Sequence, residues 1–111
     1  MIFITGPLYS GKREYVKAAL HLTQEELDVQ AVWDVQDLAA KAQDLTALAD
    51  TLAKHPIVIA TEVGGGVVPV DRAQREAREA AGRLSCLLAQ RATTVIRVFC
   101  GLPEVLKGEP L

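Results

Sequence analysis

Short runs of β-branched and apolar residues alternate along this chain with longer stretches in which apolar positions recur every three or four residues. That alternation predicts a parallel α/β sheet. Ile2 to Thr5 is a short apolar strand, and Lys12 to about Leu22 reads as a helix after a glycine-bearing turn. Gln24, Glu25 and Glu26 form a polar connection to a second strand, Val29 to Asp34, with Val29, Ala31 and Val32 as its apolar members. A second helix is expected from Asp37 to Lys54, because Leu38, Ala42, Leu45, Ala49 and Leu52 fall on one stripe. Pro56 ends that helix and opens the third strand, Ile57 to Ala60. After a glycine-rich loop, Gly64 to Pro69, Asp71 is placed as the N-cap of a long helix reaching about Gln90. Ala73, Ala77, Ala80, Leu84, Leu87 and Leu88 form its buried face, while Arg72, Arg75, Glu76, Arg78 and Glu79 face outward. Thr94 to Cys100 is the fourth strand, Gly101 breaks it, and Leu102 to Leu111 reads as a tail.

These elements predict a single domain over residues 1–111. Its expected architecture is a three-layer α/β fold with a small, mostly parallel sheet of about four strands in the order 2-3-1-4. Ligands in such sheets bind beyond the carboxyl ends of the strands. The turn after the first strand, Asp34, Thr61-Glu62 and Gly101 all fall at that edge.

The turn itself is Gly6, Pro7, Leu8, Tyr9, Ser10, Gly11, Lys12 and Arg13. It matches the phosphate-binding pattern G-x-x-x-x-G-K-[ST] at every fixed position but the last. Its two glycines let the backbone curl so that amides point into the loop, and the following helix adds its positive dipole end. Lys12 would neutralise the outer phosphates of ATP or GTP. The last position normally gives Mg²⁺ a hydroxyl, and here it is Arg13. A guanidinium cannot ligate a metal, so two readings stay open: Arg13 binds phosphate directly, or it is solvated in a dead site. Mg²⁺ as a cofactor is open for the same reason.

Asp34 ends an apolar strand as a Walker B carboxylate does, and it is the one candidate metal ligand; a helix N-cap is its alternative role. Glu62 follows the most apolar strand and could serve as a base or organise water, or else cap loop amides. Lys12, Glu62 and Asp34 are therefore the candidate catalytic residues. Tyr9 is expected to be exposed and Trp33 to be packed. His21 and His55 suit surface or helix-end roles.

Composition narrows the partners. The 111 residues are 50% hydrophobic and 23% charged, with a net charge of −2, which fits a small globular protein and no general nucleic-acid binder. No apolar run is long enough to span a bilayer, and no signal peptide is visible at Met1. Cys86 and Cys100 lack metal spacing and are expected as small core residues in a reduced, cytoplasmic setting.

The stretch Glu62 to Pro69, followed by Asp71-Arg-Ala-Gln-Arg-Glu-Ala-Arg-Glu-Ala-Ala-Gly-Arg-Leu84, resembles the adenosylcobinamide kinase / adenosylcobinamide-phosphate guanylyltransferase family. That family carries an E-V-G-x-G-[IV]-V-P loop, an Arg-rich helix ending in A-G-x-L, and a strand ending in G-[LI]-P, matched here by Val95 to Pro103. Val32-Trp33-Asp34 fits its Walker B position. The resemblance implies a RecA-like P-loop NTPase fold with a single kinase-like domain over residues 1–111, a nucleotide site, a corrinoid acceptor, and a homo-oligomer or partnership with a corrinoid enzyme. This chain is shorter than the family, with the shortfall between the first helix and the Val29 strand. The family's GMP-accepting histidine lies in that stretch, and neither His21 nor His55 matches its context. Loss of guanylyltransferase activity is therefore expected, and the enzyme reading stands beside two others: a binding paralogue without turnover, and an oligomer with a relic loop.

Overall fold

The structure is a computed structural model that describes residues 1–63 and 71–111. The glycine-rich loop of the sequence reading lies outside the described residues. Among the described residues five strands form one sheet in the order β2-β3-β1-β4-β5. They are β1 (Ile2–Gly6), β2 (Ala31–Val32), β3 (Ile57–Thr61), β4 (Thr94–Phe99) and β5 (Leu102–Lys107). The first four run parallel and β5 is antiparallel to β4. The parallel α/β architecture and the order of the first four strands are as expected. The fifth strand corrects the expected count and replaces the tail.

The parallel strands are apolar on both faces because both faces are covered. Phe3, Val58 and Val95 point into one core with α3 (Gln36–Ala39), α4 (Leu45–Leu52) and α5 (Arg72–Arg91). Ile4, Ile57, Ile59, Ile96 and Val98 point into the other, with Val16 of α1 (Lys12–Leu20) and Leu27 of α2 (Gln24–Gln30). Successive residues of β1 thus serve opposite cores, as the two-residue period of a strand requires.

Four local expectations are corrected. Gln24–Gln30 is a helix rather than a connection, since Thr23 and Glu26 form a reciprocal capping box. The second strand shrinks to Ala31–Val32, and Val29 lies 84% exposed on the helix. The helix expected from Asp37 to Lys54 breaks in two because Asp44 accepts the Ala47 amide at 3.1 Å and starts α4 afresh. Within that stripe Ala49 and Leu52 are buried, whereas Leu38 is exposed and Ala39 takes its place in the core. On α5, Asp71 caps as expected, accepting from the Ala73 amide at 2.7 Å, but the buried face is Ala80, Ala81, Leu84 and Leu88, with Ala73 exposed.

Residues 102–107 form a strand because Cys100 and Gly101, at φ 53° and 74°, make the two-residue turn with both φ positive that a twisted hairpin favours. Pro103 is tolerated there because β5 is an edge strand. Lys107 then donates to the carbonyls of Ala89 and Gln90 at 3.0 and 3.1 Å, satisfying the last turn of α5. Cys86 and Cys100 are both exposed, against the expectation of core positions.

Gly82 sits on the exposed side of α5 with open space where a Cβ would stand. Gly82→Ala is expected to raise stability by about 0.5–1 kcal/mol, since Ala loses less backbone entropy in a helix. Urea titration checks it, and an unchanged midpoint would contradict the open placement.

Candidate nucleotide site

The loop between β1 and α1 is held by two close backbone approaches. Gly6 has φ 153°, and a Cβ on it would lie 2.2 Å from the Val98 carbonyl oxygen of β4. Gly11 has φ 87°, and a Cβ on it would meet the Gly101 Cα at 3.1 Å. The Gly101 amide donates to the Ser10 carbonyl at 2.7 Å, so the β4–β5 turn braces the loop from below. Ser10, 6% exposed, is the buried polar residue of the described chain. Tyr9 has φ 58° and is 94% exposed at the loop tip, as expected. Among the described residues, the amides from Leu8 to Glu14 donate to no backbone or side-chain acceptor. A curled run of unengaged amides at a helix N-terminus is an anion-binding arrangement.

Lys12 reaches back across this loop. Its Nζ donates to the Pro7 carbonyl at 2.7 Å, the Gly6 carbonyl at 3.2 Å and Ser10 Oγ at 3.4 Å. Burial pushes its pKa below the ordinary lysine value, and the negative charges of Asp34 and Glu62 oppose that shift in part. Both carboxylates therefore lie within electrostatic reach of Lys12.

Tyr9, Ser10, Gly11, Lys12 and Arg13 share a cleft of about 370 Å³ with Trp33 and Asp34. Asp34 adopts φ 52° and accepts from Thr61 Oγ1 at 3.5 Å, while Gln36 Oε1 accepts the Thr61 amide at 2.9 Å. Arg13 places its guanidinium carbon 5.1 Å from the Trp33 ring centroid. Trp33 itself packs against the α1/α2 core.

Glu62 lies apart from this cleft. Its amide donates to the Gly6 carbonyl at 2.8 Å, beside the loop, but its carboxylate is clamped by Arg97 at 2.5 and 3.0 Å. That hydrogen-bonded partner raises the Arg97 pKa, and the guanidinium also stands over the Phe99 ring at 5.4 Å. Sequence reasoning missed Arg97 and Gln36 as partners at the site. A signal existed for Arg97, a cation between Ile96 and Val98 in an otherwise apolar parallel strand. A larger hollow of about 760 Å³, between α5 and the 40–45 connection, contains none of the loop residues.

A glycine-framed loop joining the first strand to the first helix, at the carboxyl edge of a mostly parallel sheet, is the architecture of the P-loop NTPases. Comparison with known proteins narrows the class. The family model for cobinamide kinase / cobinamide phosphate guanyltransferase matches residues 18–106, and the chain belongs to that family. It is 36% identical over 78 residues to the bifunctional adenosylcobalamin biosynthesis protein CobP of Pseudomonas aeruginosa, covering 70% of this chain and 45% of that protein. It is 34% identical over 83 residues to the bifunctional adenosylcobalamin biosynthesis protein CobU of Escherichia coli K12, covering 75% of this chain and 45% of that protein. The chain thus spans less than half the length of these curated relatives. The loop at residues 6–13 precedes the family match, so its assignment rests on its own motif and geometry. Among the described residues no helix is long and apolar enough to cross a membrane.

The lowered Lys12 pKa fixes the sign of a pH dependence. Anion affinity needs the ammonium, so it is full below that pKa and declines as pH rises through it, at values under the 10.5 of free lysine. In the ligand-free chain the sign reverses: burying the ammonium costs stability, and the cost is relieved as pH rises through the same pKa. Calorimetric titration with pyrophosphate from neutral pH upward checks the first statement. An affinity unchanged up to the free-lysine value would contradict it.

Proposed function

We propose that the cleft beside residues 6–13 binds ATP or GTP and that the chain is a kinase-like, cobalamin-biosynthesis protein whose acceptor is adenosylcobinamide. The observation that carries the nucleotide reading is the conjunction of unengaged loop amides with Lys12 at the mouth of a cleft. The phosphates would replace the loop's own carbonyls as partners of the ammonium, and the loop amides would take the remaining oxygens. Phosphoryl transfer is largely a matter of such positioning and charge neutralisation. Asp34 lines the same cleft and is the carboxylate assigned to orienting the acceptor hydroxyl. Family membership supports the corrinoid acceptor, and the histidines support loss of the guanylyltransferase half: His21 caps the end of α1 and His55 is exposed after α4.

A second reading, a nucleotide- or corrinoid-binding paralogue or partner subunit without turnover, is favoured by two observations. Arg13 stands where the metal's hydroxyl would be, and Glu62 is neutralised by Arg97. Calorimetry with ATP and GTP tests binding, and transfer of labelled γ-phosphate to adenosylcobinamide tests turnover. The kinase reading expects both signals, and the paralogue reading expects binding alone. Failure of both nucleotides to bind would end the nucleotide assignment.

A further inference from the structure

We propose that Arg13, held on the indole of Trp33, supplies the charge a divalent cation would bring, so that this cleft takes nucleoside triphosphates in their metal-free form. The inference rests on the nucleotide reading of the cleft.

The donor set does not suit Mg²⁺. That ion demands several hard oxygens in near-octahedral array. The position after Lys12 offers a guanidinium, which has no lone pair to give. Ser10 Oγ already accepts from Lys12 Nζ at 3.4 Å. Both Glu62 oxygens are engaged by Arg97 at 2.5 and 3.0 Å. Two exposed carboxylates remain in the cleft, Asp34, itself accepting from Thr61, and Glu14 in the first turn of α1. A dication would have to sit among Lys12 and Arg13 with only the exposed carboxylates of Asp34 and Glu14 lining the cleft, and the two cations would repel it.

The same arrangement suits a bare polyphosphate. Arg13 uses the face of its guanidinium on Trp33, with 5.1 Å to the ring centroid. Stacking occupies the π face and leaves the N–H edges free to fork onto phosphate oxygens. Among the described residues Arg13 makes no ion pair, so those donors are uncommitted. Trp33 is half-buried and packs against the α1/α2 core, which gives the long arginine side chain an apolar surface to lie on. Lys12, Arg13, Trp33 and Asp34 line one cleft of about 370 Å³, so the two cations face one ligand. A metal-free triphosphate carries more negative charge than its Mg²⁺ complex and meets them better.

The test is calorimetric titration of the full chain with ATP, once in EDTA and once in excess Mg²⁺, for the wild type, Arg13→Ser and Trp33→Leu. The wild type is expected to bind at least as tightly in EDTA as in Mg²⁺. Arg13→Ser is expected to lose roughly tenfold or more in EDTA and to recover part of that loss in Mg²⁺. Trp33→Leu is expected to fall between the two, provided thermal melting shows it folded; Arg13→Ser, at an exposed position, decides the matter alone if it does not. Binding by the wild type only with Mg²⁺, or by Arg13→Ser as well as the wild type in EDTA, would overturn the inference while leaving the nucleotide site standing. Absence of ATP binding in both buffers would overturn the inference and the site together.

Discussion

Lys12→Ala is expected to weaken ATP or GTP binding by roughly 100-fold or more, because the proposed phosphate site loses the ammonium that lies across the loop. In the free chain that ammonium makes three hydrogen bonds to the loop, at 2.7, 3.2 and 3.4 Å, so it is already positioned and partly desolvated. Binding exchanges carbonyl partners for phosphate oxygens, and a charged donor gains more from an anionic acceptor than from a neutral one. The effect on folding is expected to be small, within about 1 kcal/mol, since the lost hydrogen bonds are offset by removal of a partly desolvated charge. Calorimetry and urea titration on the same sample separate the two outcomes. A variant that unfolds, or that binds nucleotide normally, would contradict the role given to Lys12.

Gly6→Ala is expected to destabilise the fold by about 3 kcal/mol or more. A Cβ there would stand 2.2 Å from the Val98 carbonyl oxygen and 2.9 Å from Ser10 Oγ. Neither can yield cheaply. The Val98 carbonyl belongs to β4, which pairs with β1 through the register Ile2↔Thr94 to Thr5↔Arg97, so relief requires parting two central strands. Ser10 is buried and tied to Gly101. The residue's φ of 153° adds strain for any side chain. The expected result is a fall in the urea midpoint with an unchanged slope, together with lost nucleotide binding. Stability equal to the wild type would show that β1 and β4 do not approach as described. Gly82→Ala, where among the described residues no atom beyond the local helix backbone lies within 4 Å of the added Cβ, is the matched control.

The central sheet was legible because its strands are buried on both faces and so read as unbroken apolar runs, such as Ile57 to Ala60. α5 was legible from Asp71 and its apolar spacing. α2 was missed although its signal was present: Thr23 and Glu26 stand at capping-box spacing, but the apolar Val29, Ala31 and Val32 that follow look like a strand. The break between α3 and α4 was hidden because the apolar stripe runs straight through it, and only the Asp44 cap marks the restart. Residues 102–111 read as a tail because Pro103 and Pro110 suggest irregular chain. An edge strand has room for proline, however, and the Cys100-Gly101 turn sets its direction. At the site, strand-end positions brought Lys12 and Asp34 to one cleft as the topology required. The clamp of Arg97 on Glu62 depends on β1 lying between β3 and β4, a tertiary fact that no local pattern carries.

The most direct test of the account is the movement of backbone amide resonances as ATP is added to isotope-labelled protein. The account predicts that the largest shifts fall on Ser10 to Arg13 and on the Trp33 indole, with Gly101 following because it is bonded to Ser10. Shifts centred instead on the hollow beside Ala73, Glu79 and Arg83, with the residues of the first turn unmoved, would contradict it.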